Sequence, residues 1–225
     1  MELTALRDFE NVVLIENSAY GLEQRRDIAS MLRHIPAGAE VLDVGCGFGF
    51  PSADAAKFFK VSACDIDSRG NPELVEMIMR LRDIPFKWSE PGKLPFADGS
   101  FDAVLLYAVI EHVPEKAELL RECARVLRPK GKIFMFRAIN KRAVAEKLGR
   151  LLKLPTHGKD VVTRLELETA IVEGGFEINK IGWQGWLPEN GLPKWPIFIL
   201  NQILTRIPLI NLFSHDYYAV ATKRG

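Results

Sequence analysis

The stretch Val41-Leu42-Asp43-Val44-Gly45-Cys46-Gly47-Phe48-Gly49 is a short apolar run that turns through three alternate glycines and enters a helical stretch through Ala53, Ala56 and Phe59. Bare backbone at such a turn lets a ligand approach closely, and the helix behind it offers N–H groups with no intrahelical partner. Nucleotide-type cofactors are held in this way. The dinucleotide fingerprint is G-x-G-x-x-G, and its third glycine falls here on Phe50. Asp43 puts a carboxylate at the strand end, which suits a cationic ligand group better than a pyrophosphate. Asp65 closes a second short strand, Val61 to Cys64, twenty residues past Gly45. An acid at that place can accept both hydroxyls of a ribose. The implied ligand has a ribose and a positive end but no phosphate.

Working outward, strand-type and helix-type patterns alternate, which predicts a parallel sheet wrapped by helices. Residues 22–35 set Ile28, Met31, Leu32 and Ile35 on one helical face, with Arg25, Arg26 and Asp27 elsewhere on the wheel and Pro36 as the stop. Past the second strand, the spacing predicts a helix over 72–81, a strand over 86–88 and a central strand over 101–107. A helix over 115–127 is closed by Pro129 and Gly131, and a strand comes next over 132–136. Residues 163–174 read as a further helix, 176–181 as a strand and 217–222 as a last strand.

The 225 residues carry 30 Lys+Arg against 29 Asp+Glu, a net charge of +1, and 48% of them are hydrophobic. Such a chain reads as one globular domain over 1–225 and lacks the basic excess of a general nucleic-acid binder. Cys46, Cys64 and Cys123 have neither C-x-x-C spacing nor paired histidines nearby, so no metal site is expected and a reduced, cytoplasmic protein is. The N-terminus shows no signal-peptide pattern. The apolar stretch 195–213 is broken by Pro196, Pro208 and Arg206, unlike a transmembrane helix.

The glycine turn and the strand end Cys64-Asp65-Ile66-Asp67 resemble those of class I S-adenosylmethionine-dependent methyltransferases. So do Leu94-Pro95-Phe96-Ala97-Asp98-Gly99-Ser100-Phe101-Asp102, Ala108-Val109-Ile110-Glu111-His112-Val113 and Arg125-Val126-Leu127-Arg128-Pro129-Lys130-Gly131. The last two are similar to segments of the small-molecule branch, which includes quinone-ring methyltransferases. The resemblance implies a Rossmann-like α/β fold, with a seven-stranded, mostly parallel sheet, an antiparallel last strand and helices on both faces. It also implies S-adenosylmethionine as cofactor and a small, apolar or lipid-like acceptor. Gly45 and Gly47 would line the methionine part, with Cys46 and Gly49 completing the turn. Asp43 would orient the turn and the amino group, Asp65 would take the ribose hydroxyls, and Ile66 would pack on the adenine. Glu90 would accept from the adenine amino group, although Pro91 after it lacks an N–H, and the backbone near Tyr107 would reach the methionine end. An aminopropyltransferase shares the glycine turn, and a module that binds the cofactor without turnover is a second alternative.

Methyl transfer from a sulfonium needs alignment first, and a base only where the acceptor must lose a proton. His112, just past the central strand, is the candidate base. Tyr20 is a candidate cover for the cofactor, and His34, in the last turn of its helix, is placed where an imidazolium is favoured by the dipole. His157 lies in a loop with no assigned role.

Four parts organise the chain: a helical cap (1–36), a cofactor core (37–136), a basic helix and loop (137–162), and an apolar insertion (183–214) between the last two strands. From 137 to 153 six basic residues, Arg137, Lys141, Arg142, Lys147, Arg150 and Lys153, face the single acid Glu146, beside an apolar stripe of Val144, Leu148 and Leu151. The insertion carries Trp183, Trp186 and Trp195, then a helical face of Leu200, Ile203, Leu204 and Ile207. These two segments are expected either to close the pocket or to touch an anionic membrane through 137–153 and 195–213.

Overall fold

The short apolar runs pair into one seven-stranded sheet in the computed structural model, whose described residues are 19–66, 72–143, 151, 161–185, 194–204 and 214–225. The strands are β1 (Glu40–Val44), β2 (Lys60–Asp65), β3 (Phe86–Trp88), β4 (Phe101–Tyr107), β5 (Leu127–Ile139), β6 (Phe176–Gln184) and β7 (Asp216–Lys223). Their order is β3-β2-β1-β4-β5-β7-β6. The pairs among β1 to β5 are parallel, and β7 runs antiparallel to both β5 and β6. Around them lie α1 (Ala19–Ser30), α2 (Phe50–Ala55), α3 (Pro72–Leu81), α4 (Lys116–Val126), α5 (Arg164–Glu173) and α6 (Lys194–Leu204). This is the Rossmann-like sheet, with its antiparallel last strand, that the sequence implies.

Because strand side chains alternate between faces, each central strand feeds two cores. Val41, Ala103, Leu105 and Phe134 pack with Ile28 and Met31 of the α1 segment and with Val75 and Met79 of α3. Leu42, Val104, Leu106 and Ile133 pack on the other face with Leu120 and Cys123 of α4 and Leu167 and Ile171 of α5. Burial on both faces explains the near-continuous apolar reading of β4. Thr163 and Glu166 form a reciprocal capping box at the start of α5. Helix α6 packs against α1.

Several expectations are corrected. The helix expected over 22–35 is described over Ala19–Ser30, after which Met31–Arg33 tighten into a 3₁₀ turn. The change from about 3.6 to about 3.0 residues per turn rotates the side chains beyond Ser30 about the helix axis. Leu32 is accordingly 40% exposed while Ile28, Met31 and Ile35 stay buried. Glu23, Gln24 and Asp27, on the polar side of that wheel, are buried too. Strand β5 starts directly after α4 rather than at Lys132. Its pairing with β4 jumps from Phe101↔Leu127 to Ala103↔Lys132, so Pro129 and Gly131 sit in an irregularity inside the strand, and Lys130 takes φ 62°. His34 is held below its ordinary pKa by burial, with Lys132 and Arg33 adding to it, which opposes the charged form expected at a helix end.

The basic helix does not start at Arg137. Residues 137–139 belong to β5, and a register shift against β7 between Met135 and Ala138 accompanies φ 65° at Arg137 and turns the residue inward. Arg137 therefore leaves the basic face predicted over 137–153, and Lys141 and Arg142 lie in a turn. Leu151 is helical and exposed. The rest of that segment (144–150 and 152–160, with His157), residues 186–193 and 205–213 of the insertion, and 1–18 of the cap lie outside the described residues.

Candidate active site

All three glycines of the turn take positive φ, 73° at Gly45, 54° at Gly47 and 69° at Gly49. A side chain at Gly45 would put its Cβ 2.7 Å from Cγ2 of Val109, so the turn needs glycine for space as well as for conformation. The N–H groups of Gly45 and Cys46 donate to the Cys64 carbonyl at 2.8 and 3.2 Å, which locks the turn against the end of β2.

Asp65, the last residue of β2, braces the same turn. One carboxylate oxygen accepts from the Gly47 N–H and the other from its neighbour Ile66 N–H, both at 2.7 Å. A carboxylate offers about four acceptor positions, so two remain for a pair of hydroxyls. Asp65 lines a cavity of about 670 Å³ together with Gly45, Ile66, Glu90, Val109 and His112. That volume is within the usual range for a small-molecule site, ~300–1,000 Å³. Ile66 is partly exposed toward the cavity, as a surface for a flat ring. Its floor at Leu94 is stapled by Arg125, whose guanidinium reaches the carbonyls of Leu94 (2.9 Å) and Phe96 (2.8 Å) and the carboxylates of Asp98 and Glu122 (both 2.7 Å). Glu122 in turn accepts from the Leu94 N–H.

Asp43, Cys46, Gly47, Gly49 and Tyr107 do not line that cavity. Asp43 lies buried beneath the turn, where one oxygen accepts from the Ser52 hydroxyl at 2.5 Å and Oδ1 has no hydrogen-bond partner among the described residues. Burial pushes its carboxyl up to about 7, against the lowering effect of the Ser52 hydrogen bond. Such an orphaned oxygen behind a glycine turn fits a cofactor whose cationic end approaches from the other side. Burial raises the Cys46 thiol far above its ordinary value, which makes it a packing residue and no nucleophile. His112 closes a 3₁₀ turn over Ile110–His112, its side chain half exposed and its Nε2 4.0 Å from Glu111.

Tyr107 belongs to a second, polar cluster at the same end of the sheet, which the sequence did not disclose. Its hydroxyl is 3.3 Å from Asp27 and 3.5 Å from Nε of Arg137, and Tyr20 packs edge-on to its ring. Tyr20 also lies under the Arg137 guanidinium, so it covers this cluster. Arg137 pairs with Asp216 at 2.6 Å and lies 3.8 Å from Glu23. Gln184 donates to Asp27, and burial raises the Asp27 carboxyl to about 6 although Arg26 and Arg137 pull it down. At the edge, Nδ1 of His215 stands 2.6 Å from Asp216.

Comparison with known proteins agrees with this geometry. The profile of a methyltransferase domain family matches residues 42–135. A ubiquinone biosynthesis O-methyltransferase of Xanthomonas axonopodis pv. citri is 33% identical over 163 residues, 65% of this chain and 66% of the relative. One of Xanthomonas oryzae pv. oryzae is 36% identical over 148 residues, 58% and 59% of the two chains. The chain thus spans less than two thirds of the length of these curated relatives. Among solved structures, a methyltransferase from Thermotoga maritima is similar with a TM-score of 0.69 at 17% identity, covering 98% of this chain and 96% of that one. One from Aquifex aeolicus reaches 0.60 at 17%, covering 87% and 88%. The two likenesses show the fold.

Proposed function

We propose that this chain, whose residues 42–135 match a methyltransferase domain family, is a class I S-adenosylmethionine-dependent methyltransferase that transfers a methyl group to a hydroxyl of a small, apolar, quinone-type aromatic acceptor. The observation that carries the reading is Asp65, which braces the glycine turn with both oxygens and still presents acceptor positions to the cavity. The hydroxyl and the quinone ring are taken from the names of the Xanthomonas relatives.

S-adenosylmethionine, when bound, supplies a methyl group on a cationic sulfur that leaves as a neutral thioether. Asp65 would hold the ribose, Ile66 and Glu90 would flank the adenine, and Gly45 would give the methionine part its close backbone approach, with Gly47 shaping the turn through its N–H bond to Asp65. A cationic cofactor end near Asp43 would favour its carboxylate form. The protein's main contribution is alignment. A hydroxyl acceptor needs a base as well, and His112 in the cavity wall is the one that the sequence suggests.

No helix among the described residues is long and apolar enough to cross a membrane. Trp195, Ile199 and Ile203 succeed one another at helical spacing on α6 and are 56, 54 and 53% exposed. This surface supports contact with an acceptor's apolar tail, or with the membrane face that holds it. Three buried, unpaired thiols support a reducing compartment such as the cytoplasm.

The test is calorimetric titration with S-adenosylmethionine, S-adenosylhomocysteine and NAD, then turnover on catechols with and without an apolar tail. Tight binding of the first two with methylated catechol is the expected result. Binding of NAD alone would overturn the assignment, and sedimentation with anionic vesicles at low salt tests the α6 surface.

A further inference from the structure

Among the described residues, the imidazoles of His112 and His215 stand at the ligand end of this sheet, and His215 is joined to Asp216 and Arg137. Nδ1 of His215 is 2.6 Å from one oxygen of Asp216, whose other oxygen is 2.6 Å from the Arg137 guanidinium. The carboxylate is buried, and burial alone would raise its pKa, yet His215 and then Arg137 hold it below the usual carboxylate range. An ionised carboxylate facing Nδ1 fixes the tautomer with the proton on that nitrogen, so Nε2 is the basic one. The backbone of His215 is fastened on both sides, its N–H donating to Gly185 at the end of β6 and its carbonyl accepting from Asn140 at the end of β5, each at 2.8 Å. Asn140 also takes the Tyr217 hydroxyl and reaches the Ser214 carbonyl. Arg137 is kept at φ 65°, a strained conformation for a non-glycine residue that persists only when its surroundings impose it.

We propose that His215 is the general base of the methyl transfer, with Asp216 and Arg137 as its positioning residues. This rests on the reading of the chain as a methyltransferase with a hydroxyl acceptor. In-line displacement places the acceptor on the far side of the methyl group from the sulfur. His112 lines the cavity that Asp65, Ile66, Glu90 and Gly45 line, the one given above to the cofactor. His215 lies across the sheet, in the order β1-β4-β5-β7, at the exit of the insertion. In the step, the acceptor hydroxyl gives its proton to Nε2 as its oxygen bonds the methyl carbon. The electron pair of the carbon–sulfur bond stays on sulfur, and the imidazolium afterwards returns the proton to solvent. The described charged groups behind the imidazole are Asp216 on β7 and Arg137 on β5, then Glu23 and Asp27 on α1, with the Tyr107 phenol on β4.

The experiment has one arm without turnover and one with it. In ¹⁵N spectra of the imidazoles in the unliganded protein, His215 is expected as the Nδ1–H tautomer; the Nε2–H tautomer overturns the proposal. With catechol as acceptor, His215→Gln is expected to lose roughly 10²- to 10⁴-fold in kcat/KM together with the acidic limb of the pH profile. Its melting temperature and its Kd for S-adenosylmethionine should stay near wild type, and 4-nitrocatechol, whose hydroxyl is more acidic, should recover part of the rate. A His215→Gln protein with unchanged rate and profile overturns the proposal, and so does an acidic limb that is lost in His112→Ala instead. Wild type that binds and turns over in those cases leaves the methyltransferase reading standing. Wild type that fails to bind S-adenosylmethionine takes down both.

Discussion

Asp65→Asn separates the two tasks assigned to one carboxylate. In the unliganded protein, Asp65 receives the N–H groups of Gly47 and Ile66, one on each oxygen, at 2.7 Å. An amide retains a single acceptor oxygen, so one bond is lost and an NH₂ group faces a backbone N–H. Hydrogen bonds to charged groups contribute about 1.5–3 kcal/mol each, and for a chain of this length 1 kcal/mol moves Tm by roughly 2–4 °C. The unliganded variant should therefore melt ~3–12 °C below wild type. Loss of the ribose bonds should separately weaken S-adenosylmethionine about 10- to 100-fold, or ~1.4–2.8 kcal/mol. Differential scanning fluorimetry reads the first effect and isothermal calorimetry the second. A lowered Tm with unchanged Kd would show that Asp65 only braces the turn, and would refute its assignment to the ribose. An unchanged Tm would refute the bracing.

Two further outcomes can be measured directly. Asp43, at about 7, and Asp27, at about 6, both lie above the ordinary 3.8, so the folded state keeps protons that the unfolded state has released. Their stabilising contribution is full below about pH 4 and is lost as pH rises through 6 and 7. Asp43→Asn keeps the Ser52 bond and removes the titration, so its Tm should fall less than that of wild type between pH 4 and 7; parallel curves would contradict the burial argument. Arg125→Lys keeps the charge but loses the planar fork, so hydrogen exchange should accelerate over residues 93–99 and cofactor affinity should fall several-fold, whereas protection equal to wild type would show that the loop is held otherwise.

Local chemistry made the cofactor half legible. The glycine turn, the strand ends at Asp43 and Asp65 and the apolar run of β4 each declare themselves within nine residues or fewer, because each pattern is carried by contiguous residues. Element boundaries shifted where tertiary contacts overrode local signals: Pro129 and Gly131 read as a stop, yet the irregularity in β5 absorbs them. The polar cluster was illegible for a related reason. Gln184 and Asp27 are 157 residues apart, and Arg137 and Asp216 are 79 apart. Asp27 on a helical wheel and Arg137 at the head of a basic run both look solvated until the sheet brings their partners to them.

The same cluster bears on why it is there at all. Three buried carboxylates, Glu23, Asp27 and Asp216, surround the buried guanidinium of Arg137. Taking such charges out of water costs more than their pairing commonly returns, and replacing a buried ionic group with apolar residues of similar size is often neutral or stabilising by about 1–4 kcal/mol. Breaking it at one member is different, since an uncompensated charge remains and the loss is about 3–5 kcal/mol. Arg137→Met alone should therefore be strongly destabilised, while Glu23→Met, Arg137→Met and Asp216→Leu combined should melt near wild type or above it. If the cluster serves the reaction, the combined variant keeps its fold and its cofactor affinity but loses methyl transfer. A combined variant as unstable as the single one would show that the network holds the fold together, and that its cost is met by structure rather than by function.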